Sequence, residues 1–194
     1  SLVIETAVIN HECLENFPYL TELQLNVLND HGNLRAIEKM TRLEALSIEK
    51  LVQSVDACIP NLEGLFHMRV LQWCSQQCPS KIIRGLKYLT NLERLMISPK
   101  EDAENNNFLL GLLKLTSLTI NRPIKHESFW SSLSSLTNIQ VLSLRYIDND
   151  DRLLPLSALN NLTRLEIHRS SSSFTGCHFT ALTSLQSIWF AGNG

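Results

Sequence analysis

One six-residue phrase, LxxLx followed by an apolar residue, returns along the whole chain at a nearly fixed interval. It reads Leu20-Leu23-Leu25, Leu43-Leu46-Ile48, Met68-Leu71-Trp73, Leu92-Leu95-Ile97, Leu115-Leu118-Ile120, Ile139-Leu142-Leu144, Leu162-Leu165-Ile167 and Leu185-Ile188-Phe190. Successive starts lie 23, 25, 24, 23, 24, 23 and 23 residues apart. Positions not used to find the phrase obey the same period. Three residues before each start stand Phe17, Met40, Leu65, Leu89, Leu112, Leu136, Leu159 and Leu182; six before stand Leu14, Ile37, Leu62, Leu86, Leu109, Leu133, Leu156 and Phe179. All sixteen are apolar in a chain that is 44% hydrophobic. Chance would give that agreement on the order of once in several hundred thousand trials. Leucine drives the pattern, at 35 of 194 residues, where it is ordinarily one of several common residues.

Each period has two halves. The second alternates, as in Arg164-Leu165-Glu166-Ile167-His168, which predicts a short strand with leucines on one side and polar residues on the other. The first spaces apolar residues by three, as in Leu156, Leu159 and Leu162, which predicts a helical or 3-10 turn laid behind the strand on the same core. A coil this small cannot bury its own face and must stack on its neighbours. Eight stacked strands would make a parallel sheet about 40 Å long. In this the chain resembles the leucine-rich repeat family over essentially its whole length. The resemblance implies an α/β leucine-rich repeat solenoid, with a curved parallel sheet on the concave face and short helical or 3-10 turns on the convex face. Residues 1–194 are expected to be a single domain of about eight full repeats, preceded by a partial one whose strand is Leu2-Val3-Ile4.

Two departures narrow the subtype. Many family members place Asn eight residues after the repeat start, where this chain has Leu28, Leu51, Gln76, Lys100, Pro123, Ile147, Ser170 and Asn193. The Gly-x-Ile-Pro segment of plant receptor-kinase ectodomains is absent too. Leu89-Thr90-Asn91-Leu92, Leu136-Thr137-Asn138-Ile139 and Leu182-Thr183-Ser184-Leu185 are similar to the irregular repeats of cytosolic plant immune receptors, and some bacterial effectors use similar phrases. Neither end shows a polar capping unit of the kind that protects a solenoid's terminal leucines and edges, so a segment of a longer protein is expected.

With 17 basic against 19 acidic side chains and a formal net charge of -2, long-range phosphate attraction is not the default driving force. Binding to nucleic acid or an anionic membrane would need a local basic patch. The cysteines Cys13, Cys58, Cys74, Cys78 and Cys177 are odd in number and scattered, without paired zinc-site spacing or the density of a secreted disulfide scaffold, so a reduced, cytoplasmic setting is expected. The sequon Asn161-Leu162-Thr163 is evidence against that setting. The apolar stretch at 108–115 contains Gly111 and Lys114 and is far shorter than the roughly 20 residues that span a bilayer. The N-terminal residues carry Glu5 and no early Lys or Arg, unlike a signal peptide.

Residues two, four and six after each start face away from the leucines, with a seventh just beyond. The first two repeats place Glu22, Gln24, Asn26, Ala45, Ser47, Glu49 and Lys50 there, an acidic-leaning end. The fifth to eighth also place Ser117, Thr119, Asn121, Val141, Ser143 and Ser187 there, around the residues expected to bind a partner: Arg122, Arg145, Tyr146, Arg164, Glu166, His168, Arg169 and Trp189. Arg, Tyr and Trp dominate binding hot spots, and Trp189 on an outward strand position has no core reason to be large. The plainer alternative is that a following repeat covers Trp189 while Arg164 and Glu166 decorate a solvated strand.

No nucleophile elbow, phosphate-binding loop, dinucleotide fingerprint or HExxH occurs. Ser143, Glu166 and His168 can be drawn as a hydrolytic trio, but an open concavity offers neither water exclusion nor an oxyanion hole. Cys74 and Cys78, with His67 near in sequence, lie on a strand and turn that do not align two sulfurs for a metal. No catalytic residue, metal or cofactor is therefore expected. The tracts at 101–107 and 170–173 read as solvated loops. The expected function is a non-enzymatic protein–protein interaction module, whose preorganised strand side chains recognise a protein partner on the concave face, as in the sensor segment of an innate immune receptor. Its rivals are the substrate-recognition part of a ubiquitin ligase or secreted bacterial effector with catalysis elsewhere, and phosphate or nucleic-acid binding through Arg122, Arg145, Arg164 and Arg169.

Overall fold

The computed structural model describes residues 1–4, 14–26, 34–49, 59–99, 107–147, 150–169 and 179–192. They form one sheet of nine strands, all parallel and adjacent in chain order. The strands are β1 (Leu2–Ile4), β2 (Glu22–Leu25), β3 (Ala45–Ile48), β4 (Val70–Cys78), β5 (Arg94–Pro99), β6 (Ser117–Ile120), β7 (Val141–Ile147), β8 (Arg164–Arg169) and β9 (Ser187–Gly192). A coil that adds one turn per period requires this order. The middle residues of the sequence phrase, from Leu23 and Leu46 through Leu142 and Leu165 to Ile188, are direct partners across the sheet. The predicted strand register is therefore the observed one, and Leu2 extends the column as the partner of Leu23.

Behind each strand from β2 to β9 the chain takes two consecutive 3-10 steps. The first residue of each phrase donates its N–H to the carbonyl three residues earlier, from Leu20 to Phe17 through to Leu185 to Leu182; that earlier residue donates three residues further back, from Phe17 to Leu14 through to Leu182 to Phe179. These sixteen bonds measure 2.9–3.1 Å. A three-residue step eclipses side chains at i and i+3, so one edge of each turn meets the leucines. Of the sixteen turn positions only Phe17 and Phe179, one toward each end, are not buried. The next coil is tied at the entrance to the strand: the Glu44 carbonyl accepts from both Arg69 N–H (2.7 Å) and Val70 N–H (2.9 Å), a pattern repeated from Thr21 to Thr163. Helices occupy the convex side at Ser80–Gly85 and Glu127–Leu133. Phe129 of the second packs between Phe108 and Trp130, with ring centroids 5.8 Å and 5.2 Å away.

Two strands break the plain alternation. In β7, Arg145 pairs with His168 and Ile147 with Arg169, leaving Tyr146 as the extra residue of a bulge. Tyr146 has φ 64, the left-handed region where a bulky side chain is rare and glycine is favoured. The bulge turns Ile147, eight residues after the repeat start, into the core at 4% exposure. In β4 the register shifts between Trp73 and Cys78, and Cys78 enters the core opposite Pro99.

Candidate functional site on the concave face

The strand register assembles one continuous patch on β7, β8 and β9. Arg164, Glu166 and His168 lie two residues apart on β8, so their side chains share the concave face. Arg145 of β7 is the partner of His168, and Trp189 of β9 is the partner of Glu166. Trp189 leans diagonally onto the imidazole, with ring centroids 4.6 Å apart and planes at 72°, the edge-to-face arrangement that aromatic rings favour. Trp189 remains 50% exposed and Tyr146 46% exposed. Arg145 and Arg164 are exposed, Glu166 and His168 partly so. Burial and then the Arg145 charge hold the His168 pKa below its ordinary value, against an opposing pull from Glu166.

Not every expected member joins the patch. Arg122 stands in the bend beyond the end of β6 at Ile120, half-buried and outside the strand ladder. Arg169 is in β8, paired with Gly192, and its side chain lies outside the described residues, as do Lys50, residues 101–106 and the serines at 170–173. Ser143 faces the concave side between Thr119 and Glu166 but is only 6% exposed, because its side chain is short and its neighbours are taller. Ser98, also at an outward position, is buried as well.

The strand entrances carry a recurrent Asn that the sequence shows before the strand rather than after it. The residue before the repeat start is Asn91, Asn138 or Asn161 in three repeats. Each donates its side-chain amide to a backbone carbonyl of the previous coil: Phe66 at 2.8 Å, Leu113 at 2.8 Å and Thr137 at 2.9 Å. Thr116 and Thr163 hydroxyls likewise donate to the Glu93 and Gln140 carbonyls. The recurrent Asn thus satisfies backbone between coils, and Asn161 of the sequon is one of its rungs. On the same rim Arg69 meets Glu93 through two bonds of 2.9 Å and 3.0 Å.

The remaining chemistry is sparse. Cys78 is buried and Cys74 half-buried with its thiol 3.2 Å from the Met96 sulfur; burial raises both thiol pKa values. Among the described residues no three His, Cys, Asp or Glu side chains are grouped to hold a metal, and no hydrogen bond joins Ser143 to His168. No helix among them is long and apolar enough to cross a membrane.

No protein-family model and no curated protein matches the chain in sequence. Solved structures do match it. An internalin from Listeria monocytogenes superposes with a TM-score of 0.62 at 22% identity, covering 95% of this chain and 51% of that one. A leucine-rich repeat protein of Leptospira interrogans gives 0.60 at 15% identity, covering 93% and 45%. A plant peptide hormone receptor, RGFR1, solved in complex with RGF2, gives 0.50 at 14% identity, covering 100% and 34%. The chain has the leucine-rich repeat fold, a curved, unclosed parallel sheet backed by short turns. It spans about half the length of the first two of these proteins.

Proposed function

We propose that this chain is a non-enzymatic protein-recognition module that binds a protein partner on the β7–β9 part of its concave face, and that it serves as the sensor segment of a longer cytoplasmic immune receptor. The observation that carries the binding reading is the exposed Trp189 ring packed on His168, on strands that also display Arg145 and Arg164. A rigid sheet holds these side chains in place before binding, so little freedom is lost on association. Protein recognition is a use to which the fold is put, as in the plant receptor solved with its ligand. The receptor reading rests on the phrases at 89–92, 136–139 and 182–185. A nucleotide-binding domain upstream in the full-length sequence would support it, and a catalytic domain would replace it with a ligase or effector.

Titration calorimetry against a partner captured by pull-down tests the site. Trp189→Ala should cost about 2 kcal/mol or more as a desolvated anchor, and Arg164→Ala less if its carboxylate partner stays hydrated. Glu22→Ala and Glu49→Ala, at the other end of the face, should leave affinity unchanged. The reverse ranking would move the site to β2 and β3.

A further inference from the structure

We infer that the β7–β9 face recognises an extended, acidic protein segment in a fixed charge register, with one carboxylate on Arg164, another on Arg145 beside His168, and a cationic or neutral hydrogen-bond donor over Glu166. This rests on the concave-face reading above and adds to it the chemistry of the partner.

The first support is unspent charge. Three cations elsewhere among the described residues are paired with anions: Lys39 with Glu15 at 2.7 Å, Arg69 with Glu93 at 2.9 Å and Lys81 with Glu38 at 3.7 Å. Among the described residues Arg145 and Arg164 make no ion pair or side-chain hydrogen bond, although Glu166 stands on the same face. Burial and then the nearby Arg145 charge hold the His168 pKa below its ordinary value, with Glu166 opposing. An anionic partner would find two exposed guanidinium groups, and each suits bidentate carboxylate recognition.

The second support is spacing. Arg164 and His168 are four residues apart on one strand, about 13 Å, and Arg145 lies one strand over, about 4.8 Å from His168. An extended segment laid along β8 repeats at nearly the same rise per residue, so acidic residues four apart reach both arginines, and the residue midway meets Glu166. A nucleic-acid strand, with a charge on every residue, would set one of them against Glu166. The alternation on β8 therefore favours a peptide over a polyanion. Trp189 and Tyr146, exposed on either side, supply apolar contact to the segment's flanks.

The test is selection of a random dodecapeptide phage library on the immobilised chain, run in parallel on Trp189→Ala, on the double variant Arg145→Glu/Arg164→Glu and on Glu166→Lys, each first shown to be folded by its urea melt. Wild type should enrich sequences with acidic residues four apart. A synthetic peptide of that sequence should lose at least about tenfold in affinity for the double variant, and Glu166→Lys should convert the preference at the middle position to acidic. Enrichment that needs Trp189 but ignores the arginines would overturn the charge register and leave the concave-face reading standing. Failure to enrich any sequence, or binding of a single-stranded DNA oligonucleotide that the double variant abolishes, would overturn the inference in favour of no peptide site or of a nucleic-acid site respectively.

Discussion

Leu142 sits in the middle of the leucine column, in register with Leu118 on one side and Leu165 on the other, and all three are 0% exposed. Leu142→Ala removes three carbon groups from that position. At about 0.8 kcal/mol per buried carbon the lost transfer energy is roughly 2.4 kcal/mol, and a cavity held open by two rigid neighbouring coils raises the cost to about 3–5 kcal/mol. Leu165→Ala removes the same atoms, but the next member of the column, Ile188, is 41% exposed and freer to relax into the space. Its cost should fall nearer 2–3 kcal/mol, toward the lower end for such truncations. Ser143→Ala and Glu166→Ala, each one residue further on and facing the concave side, should stay within about 0.5 kcal/mol of wild type. Urea unfolding followed by circular dichroism, with the slope checked for constancy, ranks the four. An outward pair as damaging as the inward pair would mean a strand register wrong by one residue, which would move every side chain of the site to the opposite face.

Three further outcomes follow from particular contacts. Asn138→Ala deletes the amide that holds the Leu113 carbonyl and should lower stability by about 0.5–1 kcal/mol, whereas Ser135→Ala, whose bond stays within its own turn, should cost less; urea melts compare them. Tyr146→Gly relieves a left-handed backbone and should raise stability by about 1 kcal/mol while weakening partner binding; a destabilised variant would show that the bulge is not strained. The lowered pKa of His168 means that the unfolded chain takes up its proton first as pH falls. Its contribution to stability is therefore intact above the ordinary histidine range and is lost as pH drops through the interval from that range down to the lowered value. His168→Gln should flatten the dependence of the urea midpoint on pH across the ordinary histidine range and just below it, and a wild-type midpoint that rises on acidification there would contradict the assignment.

The leucine period determines a repeating backbone, so the parts of the fold that repeat were readable from it. The column from Leu23 to Ile188 and the paired 3-10 steps ending at Leu20, Leu43 and their successors follow from spacing alone. The irregular parts were not readable, because they depend on neighbours across coils. The seventh position after the repeat start places Tyr146 outward, where it lies; what the spacing does not show is the bulge that keeps it there and gives Ile147 the inward position. The alternation places Ser143 on the correct face but does not give its burial, which depends on Thr119 and Glu166 on adjacent strands. The Asn rungs were present in the sequence as Asn91, Asn138 and Asn161, in the place before the strand rather than after it. On the concave face the register brought Arg145, Arg164, Glu166, His168 and Trp189 together as expected. The edge-on contact of Trp189 with His168 needed the diagonal geometry between β8 and β9.

Hydroxyl-radical footprinting of the chain alone and with its captured partner addresses the recognition face most directly, since it reports side-chain burial residue by residue. Trp189 and Tyr146 lie on the proposed face at 50% and 46% exposure, while Phe66 and Tyr19, at 60% and 73%, lie in the segments that lead into β4 and β2 and serve as internal controls. The expected result is strong protection of Trp189 and Tyr146 on complex formation with Phe66 and Tyr19 as reactive as before. Protection of Phe66 or Tyr19 with Trp189 and Tyr146 left reactive would contradict recognition through the concave strands.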